Sequence, residues 1–315
     1  MTTAAKHPIT ALLWPALMLF MLGSLFAALN WYFAQDLEGF SLASLSAVHL
    51  LIAVSLQFLA IAAVVLSWHI NLRGQGIHPL AFDQSVIMVG ISTIGKYTPG
   101  KVWGMLARGA LLYRHTGQSK SAVVSALVEQ VALLHSGLLL TLTFFLAYYT
   151  SWWLGFITLV ALLPSFWLIA RSDELLAWIL SKLGKESDLA LSGFRASYPS
   201  VCCSLTVMWI PASAVLWYAL LAYSSEQPPQ LALVLLASML SYIGGFAAFF
   251  APAGIGVREG LVVALLGPVI GINAAMYIAL LHRLITAGVD ISLGMLALLL
   301  HGLRNREAEQ HNAPS

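Results

Sequence analysis

The chain has 315 residues, 60% of them hydrophobic and only 9% charged, and its mean hydropathy is +0.86. Soluble domains carry about 25% charged residues, so this composition excludes a water-soluble enzyme or binding module and defines an all-α polytopic membrane protein. The formal net charge of +2 and the absence of a basic run give no footing for a nucleic-acid partner.

After a short polar start, residues 9–33 read as a first span. The stretch exceeds both the ~20 residues a bilayer requires and the apolar core of a signal peptide, so it is expected to be retained. Further spans follow at 42–70, 121–149, 151–170, 201–223 and 273–300, about six in all, and 230–250 returns through the bilayer. Pro211 marks a kink. The polar stretch 171–195 reads as a surface segment with its own helix. Cys202 and Cys203 are adjacent, cannot staple distant segments and read as small core residues.

Lys6, Arg73, Arg114, Lys120, Arg171, Lys182, Lys185, Arg195, Arg304 and Arg306 fall in segments that alternate spanning places on one side. The opposite loops hold Asp36, Glu38 and Glu226 with the aromatic residues Trp31, Tyr148, Tyr149, Trp152 and Trp153. The positive-inside rule then puts both termini in the cytoplasm, with the cell (inner) membrane as the location.

Two stretches do not fit as simple spans. In 81–113, Gly90, Gly95, Pro99, Gly100 and Gly104 interrupt apolar runs that carry Lys96, Lys101 and Arg108. In 246–267, Pro252, Gly254 and Gly256 precede Arg258 and Glu259. Irregular backbone at membrane depth is tolerated only inside protein or along a wet cavity, so each stretch reads as a re-entrant helical hairpin broken at Pro-Gly. A short extramembrane loop is the alternative for the second. Gly100, Gly117, Ser119 and Glu129 match Gly254, Gly271, Asn273 and Arg283 at an offset of 154. Copies entering from opposite faces form an inverted repeat, with halves at about 81–149 and 230–300 of a single transmembrane domain; chance matching in a glycine-rich chain is the alternative. Ser119 and Asn273 read as N-caps of the helices that follow. Glu129 and Arg283 then lie ~15 Å along those helices, near the midplane.

Lys96, Lys101, Arg108, Arg258 and Arg283 are the cations expected at depth, against Glu129, Glu259 and Asp290. With helix N-termini after Gly100 and Gly254, they compose an anion site, for which phosphate is the leading ligand. Two alternatives stand beside this: Glu129 and Arg283 as a mutual ion pair that fixes packing, and Arg108 as a snorkelling interface residue. Gly95–Val102 fits G-x-x-x-x-G-K but has Val102 where a metal-binding hydroxyl belongs, so an ATP-binding loop is rejected. No metal cluster or nucleophile–base constellation is apparent, and neither cofactor nor enzymatic activity is expected.

The run Pro252-Ala253-Gly254-Ile255-Gly256-Val257-Arg258-Glu259-Gly260, with Gly271 and Arg283, resembles the P-G-G-x-G-x-x-E signature of the lysylphosphatidylglycerol synthase transmembrane region family. Pro99, Gly100, Arg108, Gly117 and Glu129 resemble that family's other motif. Ala253 stands where glycine is usual, and Gln130 where an arginine commonly follows the glutamate. The resemblance implies a flippase-like domain, without the soluble aminoacyltransferase, that moves anionic or aminoacylated phospholipids or polyprenyl-phosphate carriers between leaflets. In this reading Arg258 and Arg283 bind phosphate, Lys101 and Arg108 assist, and Glu129 and Glu259 position the cations. The second hypothesis is a non-transporting subunit that presents a lipid carrier to a glycosyltransferase or lipid synthase; homo-oligomerisation is left open.

Overall fold

A segment surrounded by side chains or lipid must satisfy its own backbone N–H and C=O groups, and apolar runs of this length do so as helices. A computed structural model describes residues 45–77, 81–97, 102–117, 119–172, 188–223, 228–248 and 251–311. These residues form nine α-helices and no strand. In order they are α1 (Ala47–Gly74), α2 (Phe82–Gly95), α3 (Val102–Thr116), α4 (Ser119–Tyr149), α5 (Trp152–Ala170), α6 (Asp188–Tyr223), α7 (Leu231–Ala247), α8 (Val257–Ile270) and α9 (Ile272–His311). A 3-10 turn, Pro252–Gly254, lies between α7 and α8. The expected span at 9–33, the Pro99–Gly100 break, Lys101 and residues 173–187 of the polar segment lie outside the described residues.

Five helices are long and apolar enough to cross a membrane: α1 and α5 over their full length, and Ser125–Tyr149, Arg195–Tyr223 and Ile272–Arg304 within α4, α6 and α9. The all-helical, multi-pass class expected from composition is therefore the class observed. Helix α6 is the hub. It is 61% buried over its apolar window, whereas α5 is 22% buried, and it packs on α1, α4, α5, α7 and α9. It continues as helix through Pro199 and Pro211 and begins at Asp188, inside the stretch expected to be a separate surface segment. Cys202 is in the core, as expected, but Cys203 is exposed on the other face of α6. Helix α5 turns Trp152, Phe156, Ile157, Leu163 and Leu168 outward. In a multi-pass protein such side chains meet acyl chains at no desolvation cost.

The expected return span at 230–250 is shorter than read. Helix α7 has 17 residues, about 25 Å at 1.5 Å per residue, against a ~30 Å hydrocarbon core. It stops because Ala248 leaves helical geometry at ψ 80°, and positive φ angles follow at Ala253, Gly254 and Gly256. Helix α7 ends at Ala247 and α8 begins at Val257, so among the described residues the two helices that flank the break are α7 and α8, the first of which starts well before residue 246. The next boundary also shifts. Helix α9 starts at Ile272, and the Gly271 carbonyl accepts from Ala275 N–H at 3.0 Å, so Asn273 lies inside the first turn and is not the N-cap.

Helices α2–α3–α4 and α7–α8–α9 form two runs of three. Within each run consecutive helices pack together or lead directly into one another, and the third helix packs on the first helix of the other run: α9 on α2, and α4 on α7. Glycine permits both crossings. A Cβ on Gly294 of α9 would come within 2.2 Å of Ile94 in α2, and one on Gly137 of α4 within 2.7 Å of Ile243 in α7. Ion pairs close both ends of the α2–α9 contact: Asp83 with Arg304 at 2.8 Å and Lys96 with Asp290 at 2.6 Å.

Candidate functional site

The turn after α7 is held by its main chain before any side chain acts. Ala253 has φ 49° and ψ 15°, a left-handed conformation that costs an alanine about 1–2 kcal/mol. It persists because both of its backbone groups are engaged. Ala253 N–H donates to the Lys96 carbonyl at 3.0 Å, and its own carbonyl accepts from Arg283 Nη2 at 3.1 Å. The first bond ties this turn to the end of α2. A glycine, which the resembled signature carries at this position, would adopt this positive φ freely. Ala253→Gly should therefore be neutral to stabilising, by about 0–1 kcal/mol once the entropy of the unfolded glycine is counted. Thermal unfolding in detergent checks this; a marked loss of stability would show that the strain assignment is wrong.

Gly254 follows at φ 74°, and a Cβ there would lie 2.7 Å from Gly245 Cα, so side-chain-free backbone on both partners lets the turn fold back against α7. Gly256 precedes α8, and its N–H donates to Glu259 Oε2 at 2.6 Å. An acid three residues into a helix that reaches back to the cap is half of a capping box. Glu259 Oε1 also faces Arg283 Nε at 3.5 Å. Pro252, Gly254, Gly256, Glu259 and Arg283 thus belong to one turn. Arg283 and Glu259 spend their polar atoms on it.

Arg258 is different. Its guanidinium lies 3.8 Å from the centroid of the Tyr242 ring, donated by α7, and its Nε and Nη2 are buried with no hydrogen-bond partner. Among the described residues no carboxylate is within ion-pair distance of it. Arg258 borders a cavity of about 410 Å³ whose wall also includes Lys96, Arg108, Glu129, Trp209 and Tyr242.

On the opposite wall, Arg108 Nη1 binds Glu129 Oε2, its Nη2 donates to Ser92 Oγ at 2.9 Å, and its guanidinium stacks on Trp68 at 4.5 Å. Both members of this pair are 11% exposed at the side chain. Arg108 therefore does not snorkel to an interface: a carboxylate, a hydroxyl and an indole hold it inside the protein. Nor do Glu129 and Arg283 pair with each other, because nearer partners, Arg108 and Glu259, hold each of them. Glu129 Oε1 remains buried and unpartnered. Asp290 is buried and accepts from Lys96 Nζ at 2.6 Å and Tyr97 Oη at 2.7 Å.

Among the described residues, four cations (Lys96, Arg108, Arg258, Arg283) thus face three carboxylates (Glu129, Glu259, Asp290), with each carboxylate engaged by a cation other than Arg258. The aromatic floors Trp68 and Tyr242, and the partners Ser92 and Tyr97, have no signal in the sequence, since isolated aromatics and serines in apolar helices look the same when they are core. Among the described residues no group of His, Cys, Asp and Glu is placed to hold a metal ion.

Helices that pack their polar and charged groups around an internal cavity, with apolar side chains turned outward, define a multi-pass integral membrane protein. The chain belongs to the lysylphosphatidylglycerol synthase TM region family, whose profile matches residues 20–294. Searches of curated proteins and of solved structures returned no match.

Proposed function

We propose that the protein is a flippase-like lipid transporter, not an enzyme, which moves an anionic phospholipid, an aminoacylated phospholipid or a polyprenyl-phosphate-linked lipid between leaflets. The headgroup occupies the cavity between α2–α4 and α7–α8 while the tails stay in the bilayer. One observation carries this reading: Arg258 presents buried, unpartnered N–H groups at the wall of that cavity. Burying a cation without an acceptor is costly, and a phosphate oxygen supplies the missing acceptor. Arg258 is the first phosphate contact; Arg283 and Glu259 position its turn, and Arg108 and Glu129 form the facing wall.

Membership of a family named for a phospholipid synthase's membrane region supports a lipid-related role, and the two runs of three helices support the inverted-repeat reading. In that reading α2–α3 and α7–α8 are re-entrant pairs that enter from opposite faces. Broken helices at a repeat interface are where transporters of this architecture bind substrate. The charge asymmetry of the loops supports a topology with both termini in the cytoplasm.

Purified protein reconstituted in vesicles with a labelled phospholipid should accelerate leaflet exchange over protein-free vesicles. The readout is the fraction of label that a membrane-impermeant quencher can reach over time. Exchange no faster than in empty vesicles, for every lipid tried, would sink the transport reading; lipid binding without exchange would point instead to a subunit that presents lipid to a partner synthase or glycosyltransferase.

A further inference from the structure

Resting on the lipid reading above, we infer that the protein has a second ligand, a proton bound by His282, and that it carries this proton and the headgroup anion across together. His282 lies on α9 with only 4% of its surface exposed, and its Nε2 is buried without a hydrogen-bond partner. Its ring stands at 90° to the Tyr242 ring, with the centroids 5.9 Å apart. The Arg258 guanidinium lies 3.8 Å from the centroid of that same tyrosine ring. The Tyr242 hydroxyl is itself buried and unpartnered. Tyr242 therefore touches both His282 and Arg258, and it lines the cavity with Arg258.

The neighbours of His282 set the coupling. Arg258 of α8 and Arg283 of its own helix both repel a positive charge there, and Tyr242 of α7 packs against its ring. From the end of α2, Lys96 and Tyr97 meet α9 further along, at Asp290. Among the described residues no charged or titratable group of α1 or α6 acts on it. A proton on this imidazole would add a positive charge beside two guanidinium groups, out of reach of water. A phosphate oxygen bound to Arg258 cancels part of that repulsion. Anion binding then favours proton uptake, and by linkage the proton favours the anion to the same extent.

The carboxylates are poorer carriers. Glu129 holds Arg108, Glu259 faces Arg283 and Asp290 holds Lys96, so a proton on any of them leaves a buried cation without its counter-ion. His282 has no such bond to give up. The proton comes from the aqueous phase on the side where the headgroup enters and binds the bare ring nitrogen as the anion binds Arg258. It returns to water on the other side as the anion leaves. One positive and one negative charge move together, so the step is electroneutral.

The test uses the purified full chain in detergent and short-chain phosphatidylglycerol, whose phosphodiester keeps its single charge throughout. Titration calorimetry in two buffers of different ionisation enthalpy counts the protons taken up with each lipid. The wild-type chain should take up a proton on binding, and its affinity should rise as the pH falls from about 8 to about 6, by up to about tenfold per pH unit. His282→Gln should bind the lipid with no proton uptake and with an affinity that does not change with pH. In vesicles, a pH gradient should drive labelled lipid toward one leaflet with the wild-type chain and not with this variant. If His282→Gln does not fold, His282→Phe, which keeps an aromatic edge against Tyr242, replaces it in the same measurements. Lipid binding by the wild-type chain without proton uptake, or uptake that persists in the variant, would overturn the inference and leave lipid transport standing. Failure of the lipid to bind at any of these pH values would overturn the phosphodiester-lipid reading and this inference with it.

Discussion

Arg258→Met should lower leaflet exchange by about a hundredfold or more and, at the same time, leave the protein as stable as before or more so. The two effects come from different terms. A guanidinium bound to phosphate through two N–H groups contributes about 1.5–3 kcal/mol per charge-assisted bond, and about 3 kcal/mol already corresponds to a hundredfold in affinity. In the free protein the same groups are buried without acceptors, so the native residue is a cost that the apolar thioether removes. That gain, about 1–3 kcal/mol, is partly offset by the lost stacking on Tyr242, about 1–2 kcal/mol for a desolvated pair. Exchange in vesicles and thermal unfolding in detergent, measured on the same preparation, separate the two. A variant that is less stable by several kcal/mol would show Arg258 to be a structural residue, and one with normal exchange would remove it from the transport path.

The second large effect lies across the cavity. Removing either partner of the Arg108–Glu129 pair leaves the other charge buried alone, so Arg108→Met and Glu129→Met should each destabilise by about 3–5 kcal/mol. The double variant should lose less than the two together, by a coupling of about 2–3 kcal/mol, because two apolar side chains of similar length replace two mutually dependent charges. Equilibrium unfolding of all four proteins closes this cycle. Strict additivity would mean that the pair, although in contact, is solvated well enough for each charge to stand by itself.

These expectations could be approached from the sequence, but not reached. Charged residues in a 60% hydrophobic chain stand out because the membrane makes them expensive, so Arg108, Glu129, Arg258, Glu259, Arg283 and Asp290 were visible as a set. The positive-φ breaks at Gly254 and Gly256 were visible for a related reason: glycine clusters in apolar tracts mark backbone that cannot stay helical. What spacing does not contain is pairing. Helical periodicity places Glu129 and Arg283 at similar depths on two helices, but which cation meets which carboxylate depends on rotations and crossings set by packing, such as the approach of α9 to α2 through Gly294. Arg108 was nearer to Glu129, and Glu259 to Arg283, and no count of residues could say so. The lengths of α7 and of the turn after it escaped for another reason. The hydropathy of residues 230–250 is continuous, whereas the helix ends where main-chain geometry changes at Ala248, and hydropathy does not report dihedral angles.

The bond from Ala253 N–H to the Lys96 carbonyl has a practical corollary for mutagenesis. It joins the two runs of helices through main-chain atoms alone, so substitution by any residue that keeps its amide leaves it in place, and an alanine scan would pass over this cross-strap in silence. Replacing the amide of residue 253 by an ester, which deletes the donor and leaves every side chain untouched, is the change that would expose it.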